Sequence, residues 1–127
     1  MSTDGHAEAL KTYLATQTQA PVYDHDEAQA LGSALPDDYT VIYLSRRFGG
    51  PERGETRDTN LRRLQTRVNA KKVANARLLE DRIAMAFEHK TVSLGDTFAH
   101  FAYEAGGGVY EFDEGYYTDL TDWTFAV

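Results

Sequence analysis

A chain of 127 residues, 42% hydrophobic and 26% charged, has the make-up of one globular domain, and a domain of this size buries roughly two thirds of the surface its unfolded chain exposes. Cysteine is absent, which excludes disulfides, thiolate metal sites and thiol nucleophiles. A net charge of −7 excludes a sequence-independent binder of duplex DNA acting through its whole surface, which needs basic groups to displace counterions.

The charge is uneven. Every Lys and Arg except Lys11 lies between Arg46 and Lys90, whereas residues 1–45 and 91–127 are mostly acidic. A basic middle between acidic ends suits head-to-tail contact between copies, or a basic partner. No apolar run approaches the ~20 residues of a membrane span, and the N-terminus "MSTDGHAEAL" lacks a basic region followed by a long apolar stretch. The expectation is a soluble protein with no membrane contact that stays where it is made.

In chain order, residues 3 to 18 place Ala7, Leu10, Tyr13, Leu14 and Thr18 at helical spacing behind a Ser2/Thr3/Asp4 cap. Pro21 ends that helix, and "PVYD" fits a short strand. Residues 24 to 38 read as an acidic loop with one helical turn at 26 to 31. "YTVIYLS", residues 39 to 45, is the clearest strand: β-branched and aromatic, bounded by Pro36-Asp37-Asp38 and a glycine-bearing loop.

That loop, "RRFGGPERGETRD" at 46 to 58, leads to a second strand at 60 to 70. There Leu64, Thr66, Val68 and Ala70 alternate with Arg63, Gln65, Arg67 and Asn69, the mark of a half-buried strand. The two strands form a hairpin with an extended tip. A helix at 71 to 89 follows, with Val73, Ala76, Leu79 (or Glu80), Ile83, Ala84 and Phe87 on its apolar stripe. The remainder reads as strands: "TVSL", "TFAHFAYEA", "VYEFDE" and "LTDWTFAV", with Gly106–Gly108 a turn or bulge and Thr121, Trp123, Phe125 and Val127 on one face of the last. The fold class is α+β: an antiparallel or mixed sheet with two helices on one face and a long hairpin loop, in a single domain spanning 1–127.

Tests for chemistry are negative in turn. His6, His25, His89 and His100 are isolated and show no metal-ligand spacing. "DHDE", residues 24 to 27, is the nearest thing to a ligand cluster, but it sits in an acidic, solvated loop. "DEGYYTD" and "DTFAH" do not match a calcium loop. Glu104, Glu111, Asp113 and Glu114 gather near the C-terminal hairpin without a spacing that forces two carboxylates together. "ALGSALP" is not a nucleophile elbow. The arginine-glycine loop lacks both phosphate-cradling signatures and precedes a strand, not a helix; Glu52, Glu55 and Asp58 would repel a phosphate. Single-strand nucleic-acid binding wants basic and aromatic residues interleaved on one face. Here the strand at 60 to 70 is basic without aromatics, and the strands at 98 to 125 are aromatic and almost without basic residues. No cofactor is expected, and an assembly protein without enzymatic activity is the reading that remains.

Four features carry a resemblance. Pro36 and Tyr39 lead an apolar strand to Leu44; a glycine-bearing loop follows; a strand ending "TRVNA" runs into "KKVANARLLEDRIA"; and the chain closes on a Trp-x-aromatic strand, "DWTFAV". Over residues 36 to 127 the chain resembles the tail terminator proteins of long-tailed (siphovirus-type) bacteriophages, above all those infecting actinobacteria. That resemblance implies a virion protein of the tail–neck region, assembled in the host cytoplasm. It implies a homo-hexameric ring that caps the tail tube, stops its polymerisation and presents the head-joining surface, with double-stranded DNA passing through the lumen. Its partners are then its own copies, the tail tube protein and a head-completion (neck) protein. The contacts with a neighbouring subunit or tail protein are expected at Arg46, Arg47, Arg53, Glu55 and Arg57 of the loop, and at Trp123 among the C-terminal aromatics. The alternatives are another neck component, a head-closure or head–tail adaptor protein, or a small nucleotide-binding or hydrolytic domain.

Overall fold

The computed structural model of the chain describes residues 3–46, 61–113 and 115–127. Helix α1 (Thr3–Thr18) leads to strand β1 (Val22–Asp24), helix α2 (His25–Leu31) and a 3-10 turn (Gly32–Ala34). Strands β2 (Asp38–Arg46) and β3 (Leu61–Ala70) precede helix α3 (Val73–Phe87). The chain ends in β4 (Val92–Ser93), β5 (Phe98–Ala99), β6 (Ala102–Gly106), β7 (Tyr110–Asp113) and β8 (Tyr116–Ala126).

The main sheet runs β1-β2-β3-β8-β6, with β7 also on β8. β1 is parallel to β2 and every other pair is antiparallel, so the sheet is mixed and the α+β class holds. β3 is the central strand. Register stacks Leu44, Leu64 and Trp123 in one row, and Ile42, Thr66 and Thr121 in the next. That face is covered by α1 and α3. The core gathers Leu10 and Leu14 from α1, Leu79, Ile83 and Phe87 from α3, and Ile42, Leu64, Val68, Trp123 and Phe125 from the sheet. Leu10, Leu14, Leu64, Ile83 and Val68 are completely buried, each such side chain contributing about 1.5–3 kcal/mol.

Two helices lie on one face, as the stripes at 3 to 18 and 71 to 89 predict. The third, α2, lies on the opposite face, where Ala28 packs on Tyr39 and Val41. Residues 24 to 38 are therefore more ordered than an acidic loop. The backbone N–H of Asp24 donates to Glu27 Oε1 at 2.8 Å, closing the first turn of α2 in the manner of a capping box.

Two strand boundaries differ from the periodic pattern. "TFAHFAYEA" does not form one strand. β5 pairs with β4 in a small separate hairpin, closed by Leu94 N–H donating to the Thr97 carbonyl at 2.8 Å; the chain then turns so that Phe101 enters the core, and only afterwards joins β8 as β6. Conversely, β8 begins four residues before "LTDWTFAV", because Tyr116 and Tyr117 already pair with Asp113 and Glu111. β6 and β7 run consecutively along the same side of β8 and form one outer strand, broken at Gly106–Gly108. All three glycines have positive φ, and a side chain on Gly106 would run into the Leu120 carbonyl.

Candidate functional site

The hairpin expected to carry the contact residues exists up to its base. β2 and β3 pair antiparallel from Asp38↔Ala70 to Arg46↔Arg62, so the backbone of Arg46 sits at the open end of the ladder. Arg47, Arg53, Glu55 and Arg57 lie outside the described residues. Trp123 does not face outward: it is 2% exposed. Its ring meets Phe87 edge-on at 5.0 Å and Tyr103 at 6.0 Å, and its Nε1–H donates to Thr66 Oγ1 at 3.4 Å. An indole held this way is a core anchor of this chain, and the surface above it belongs to Tyr103, which is 54% exposed.

The "DHDE" cluster has a structural explanation. Lys11 of α1 is 8% exposed, and its ammonium lies 2.8 Å from Glu8, 2.9 Å from Glu27 and 3.0 Å from Asp24. Burial acts to lower the Lys11 pKa, but the three carboxylates outweigh it and the net shift is upward. Glu27 is shifted down, by the Asp24 N–H first and by Lys11 second. The acids of this loop thus tie α1 to the β1–α2 turn. His25, the imidazole of the cluster, sits against Tyr43, Nδ1 3.3 Å from its hydroxyl.

The other histidines are scattered. His6 Nε2 is 2.9 Å from Asp96 Oδ1, fastening α1 to the β4–β5 turn, and His100 Nε2 is 3.5 Å from Thr91 Oγ1. Among the described residues no three His, Asp or Glu side chains converge on a point that could hold a metal ion. Of the expected acidic cluster, Glu104 and Glu111 are exposed on the outer strand, and Glu114 lies outside the described residues, as does the side chain of Asp113.

The carboxylate pair that does form was not among those expected. Glu80 of α3 and Asp119 of β8 interact directly across the helix–sheet interface, at the floor of a cleft of about 290 Å³ also lined by Arg77, Asp81, Gly108 and Val109. Thr121 donates its hydroxyl to Glu80 Oε1 at 2.6 Å. Asp119 is 3% exposed and accepts the backbone N–H groups of Gly108 and Leu120. Burial pushes the Glu80 carboxyl up to about 7, and Asp119 and Asp81 add to the rise. Burial also raises Asp119, against the two N–H donors that favour its ionised form. The two N–H donors favour ionisation at Asp119 and none is given to Glu80 by the backbone, so a proton taken up by the pair is favoured on Glu80. Two signals in the sequence point here: Glu80 falls on the edge of an apolar helical stripe, and Asp119 precedes the alternating Thr121-Trp123-Phe125 face by two residues.

The two lateral edges of the sheet are unlike. On one, β1 is only three residues long and is followed by the acidic α2. On the other, β6 is exposed throughout; Tyr103 stands out of it at 54% exposure and Tyr110 out of β7 at 44%. No protein-family model matches the sequence, and no curated protein is significantly similar to it.

Proposed function

We propose that the chain is a ring-forming structural protein of a phage virion, of tail-terminator type, which caps the tail tube, ends its polymerisation and offers the surface to which the head is joined. The observation that carries this reading is the pair of unlike sheet edges. A closed ring of identical subunits is built from heterologous contacts, in which one surface of each copy meets a different surface of the next. An exposed edge strand is a liability that a neighbouring subunit removes. The short acidic β1–α2 side and the long aromatic β6–β7 side supply two such surfaces on opposite flanks of one sheet. The β2–β3 hairpin adds a third element, with Arg62 and Arg63 at its base next to the arginine-bearing segment 46–58. The overall charge of −7 suits a lumen through which phosphates slide without being held. The partners in this reading are further copies of the chain, the tail tube protein and a neck protein, and the role has no catalytic step.

The test is electron microscopy and light scattering on the purified protein, alone and with tail tubes. Rings, or density at tube ends, are expected. A strict monomer that ignores tubes overturns the proposal. Deleting residues 49–56 is expected to change tail length or head joining, and unchanged virions would remove the loop from the contact.

A further inference from the structure

The outer strand β6–β7 pairs with β8 on either side of its glycine break, and the Glu80–Asp119 pair lies in the cleft that Gly108 and Val109 of that break line. Gly107 N–H donates to the Leu120 carbonyl at 3.0 Å, Gly108 N–H donates to Asp119, and Gly106 lies so close to Leu120 that no side chain fits. Asp119 thus holds the glycine break from one side and meets Glu80 of α3 on the other. Glu80 Oε2 and Asp119 Oδ1 are buried and accept no hydrogen bond from any donor among the described residues. A single proton held between the two carboxyls gives both oxygens a partner; without it, two buried negative charges face each other.

We propose that the Glu80–Asp119 pair is a proton-operated latch that fastens the glycine break of the outer strand to helix α3, closed while the pair holds one proton and loosened when that proton leaves. The inference is independent of the phage reading. The charged groups around the pair are few. From α3 come Arg77 and Asp81, the second of which disfavours the doubly ionised state. From the β6–β7 break come Gly108 and Val109, which carry no charge. From β3 the residue in register with Asp119 is Val68. No third carboxylate or imidazole joins the pair closely enough to hold a metal ion among the described residues, and a proton is the species assigned to it.

The sign follows from linkage. A carboxyl whose folded pKa is raised binds a proton in the closed state that it has lost in the open one, so the closed state weakens as pH rises from the ordinary value of 4.5 to about 7 and levels off above that. One proton released on opening shifts the opening equilibrium by at most about tenfold per pH unit in that window.

The test is amide hydrogen exchange of the intact protein at pH 5, 6, 7 and 8, corrected for intrinsic exchange rates and read separately for residues 102–113 and for β2–β3. In the wild type, opening of 102–113 is expected to rise roughly tenfold or more between pH 5 and 7, with β2–β3 changed far less. Glu80→Gln keeps the shape and places a permanent amide donor beside Asp119, so its 102–113 profile is expected to be flat. Should that variant fold poorly, Asp119→Asn removes the charge facing Glu80 while burial still holds Glu80 up, so its 102–113 profile is expected to respond over a narrower pH range than the wild type. In the wild type, the carboxyl carbon shift of Glu80 followed by NMR is expected to titrate near pH 7. A flat wild-type profile, a pH response in Glu80→Gln equal to that of the wild type, or a Glu80 titration at an ordinary carboxylate pH overturns the proposal.

Discussion

Phe87, the last residue of α3, and Phe101, in the bend between β5 and β6, stack with ring centroids 4.3 Å apart and an interplanar angle of 18°. Phe87 also meets Trp123 at 5.0 Å and Tyr13 of α1 at 6.4 Å. One side chain therefore joins α1, α3, the β5–β6 bend and the last strand. It is 1% exposed. Phe87→Ala is expected to cost about 3–5 kcal/mol, the range for deleting a large buried aromatic and leaving a cavity. Phe87→Leu, which keeps most of the volume, is expected to cost less than half of that. Urea unfolding followed by circular dichroism checks both. A loss under about 1 kcal/mol for the alanine variant would mean that the site collapses around the gap.

Trp123 is the only tryptophan, which makes its environment directly readable. Buried and in contact with aromatic rings, it is expected to emit at short wavelength and to resist quenching by iodide. Assembly with partners is expected to leave that emission unchanged, because the ring is already covered within its own chain. A red-shifted, quenchable indole in the free protein, blue-shifting on assembly, would return Trp123 to the interface.

Lys11 is a charge whose removal leaves three acids facing one another. Truncating one partner of a buried ion pair costs about 3–5 kcal/mol, and partners in contact with solvent reduce that figure. Asp24 and Glu27 keep 39% and 50% side-chain exposure, so Lys11→Ala is expected to cost about 2 kcal/mol. The pH dependence has a definite sign. Glu27 is shifted down, so its contribution is present above the ordinary carboxylate pKa of 4.5 and is lost as pH falls below it. Lys11 is shifted up from 10.5, so its contribution is present below that value and fades only as pH rises through the folded pKa. Thermal melts of wild type and Lys11→Ala should therefore converge below pH 4.5 and differ most between 5 and 10. A constant difference at pH 3 would refute the ionic origin.

The parts of the fold that were legible in the sequence are those with one covered face. Of the expected stripes, Ala7, Leu10, Leu14 and Thr18, then Ala76, Leu79, Ile83 and Phe87, are buried, with Tyr13, Val73 and Ala84 half-buried; Leu64, Thr66, Val68 and Ala70 are buried, and so are Thr121, Trp123 and Phe125, with Val127 half-buried. Burial on one side leaves a period in the sequence, and period is what can be read. β6 has no covered face, so its alternation carried no information, and the break at His100–Phe101 depends on a long-range stack with Phe87. "DHDE" illustrates a different failure. Asp at a cap with Glu three residues later is a helix-start signature, yet the same letters also describe a solvated acidic loop, and Lys11, which decides between them, is far away in sequence. The Glu80–Asp119 pair was hidden for the same reason: 39 positions separate its members, and only the packing of α3 on β8 brings them together.

Gly106 offers a prediction that separates two physical causes. Gly106, Gly107 and Gly108 have φ of +114°, +109° and +101°, a region in which an L side chain is strained by roughly 1–3 kcal/mol. All three are expected to resist substitution by alanine on that account. Only at Gly106 does the added carbon also meet atoms of the neighbouring strand, the Leu120 carbonyl and Thr121 Cα; at Gly107 and Gly108 the space is open. Relieving that contact requires β6 to move away from β8. Gly106→Ala is therefore expected to cost about 2 kcal/mol more than Gly107→Ala and to increase hydrogen exchange in β6, while Gly107→Ala leaves the pairing of β6 with β8 intact. Equal costs for the two variants would show that backbone strain alone governs the break.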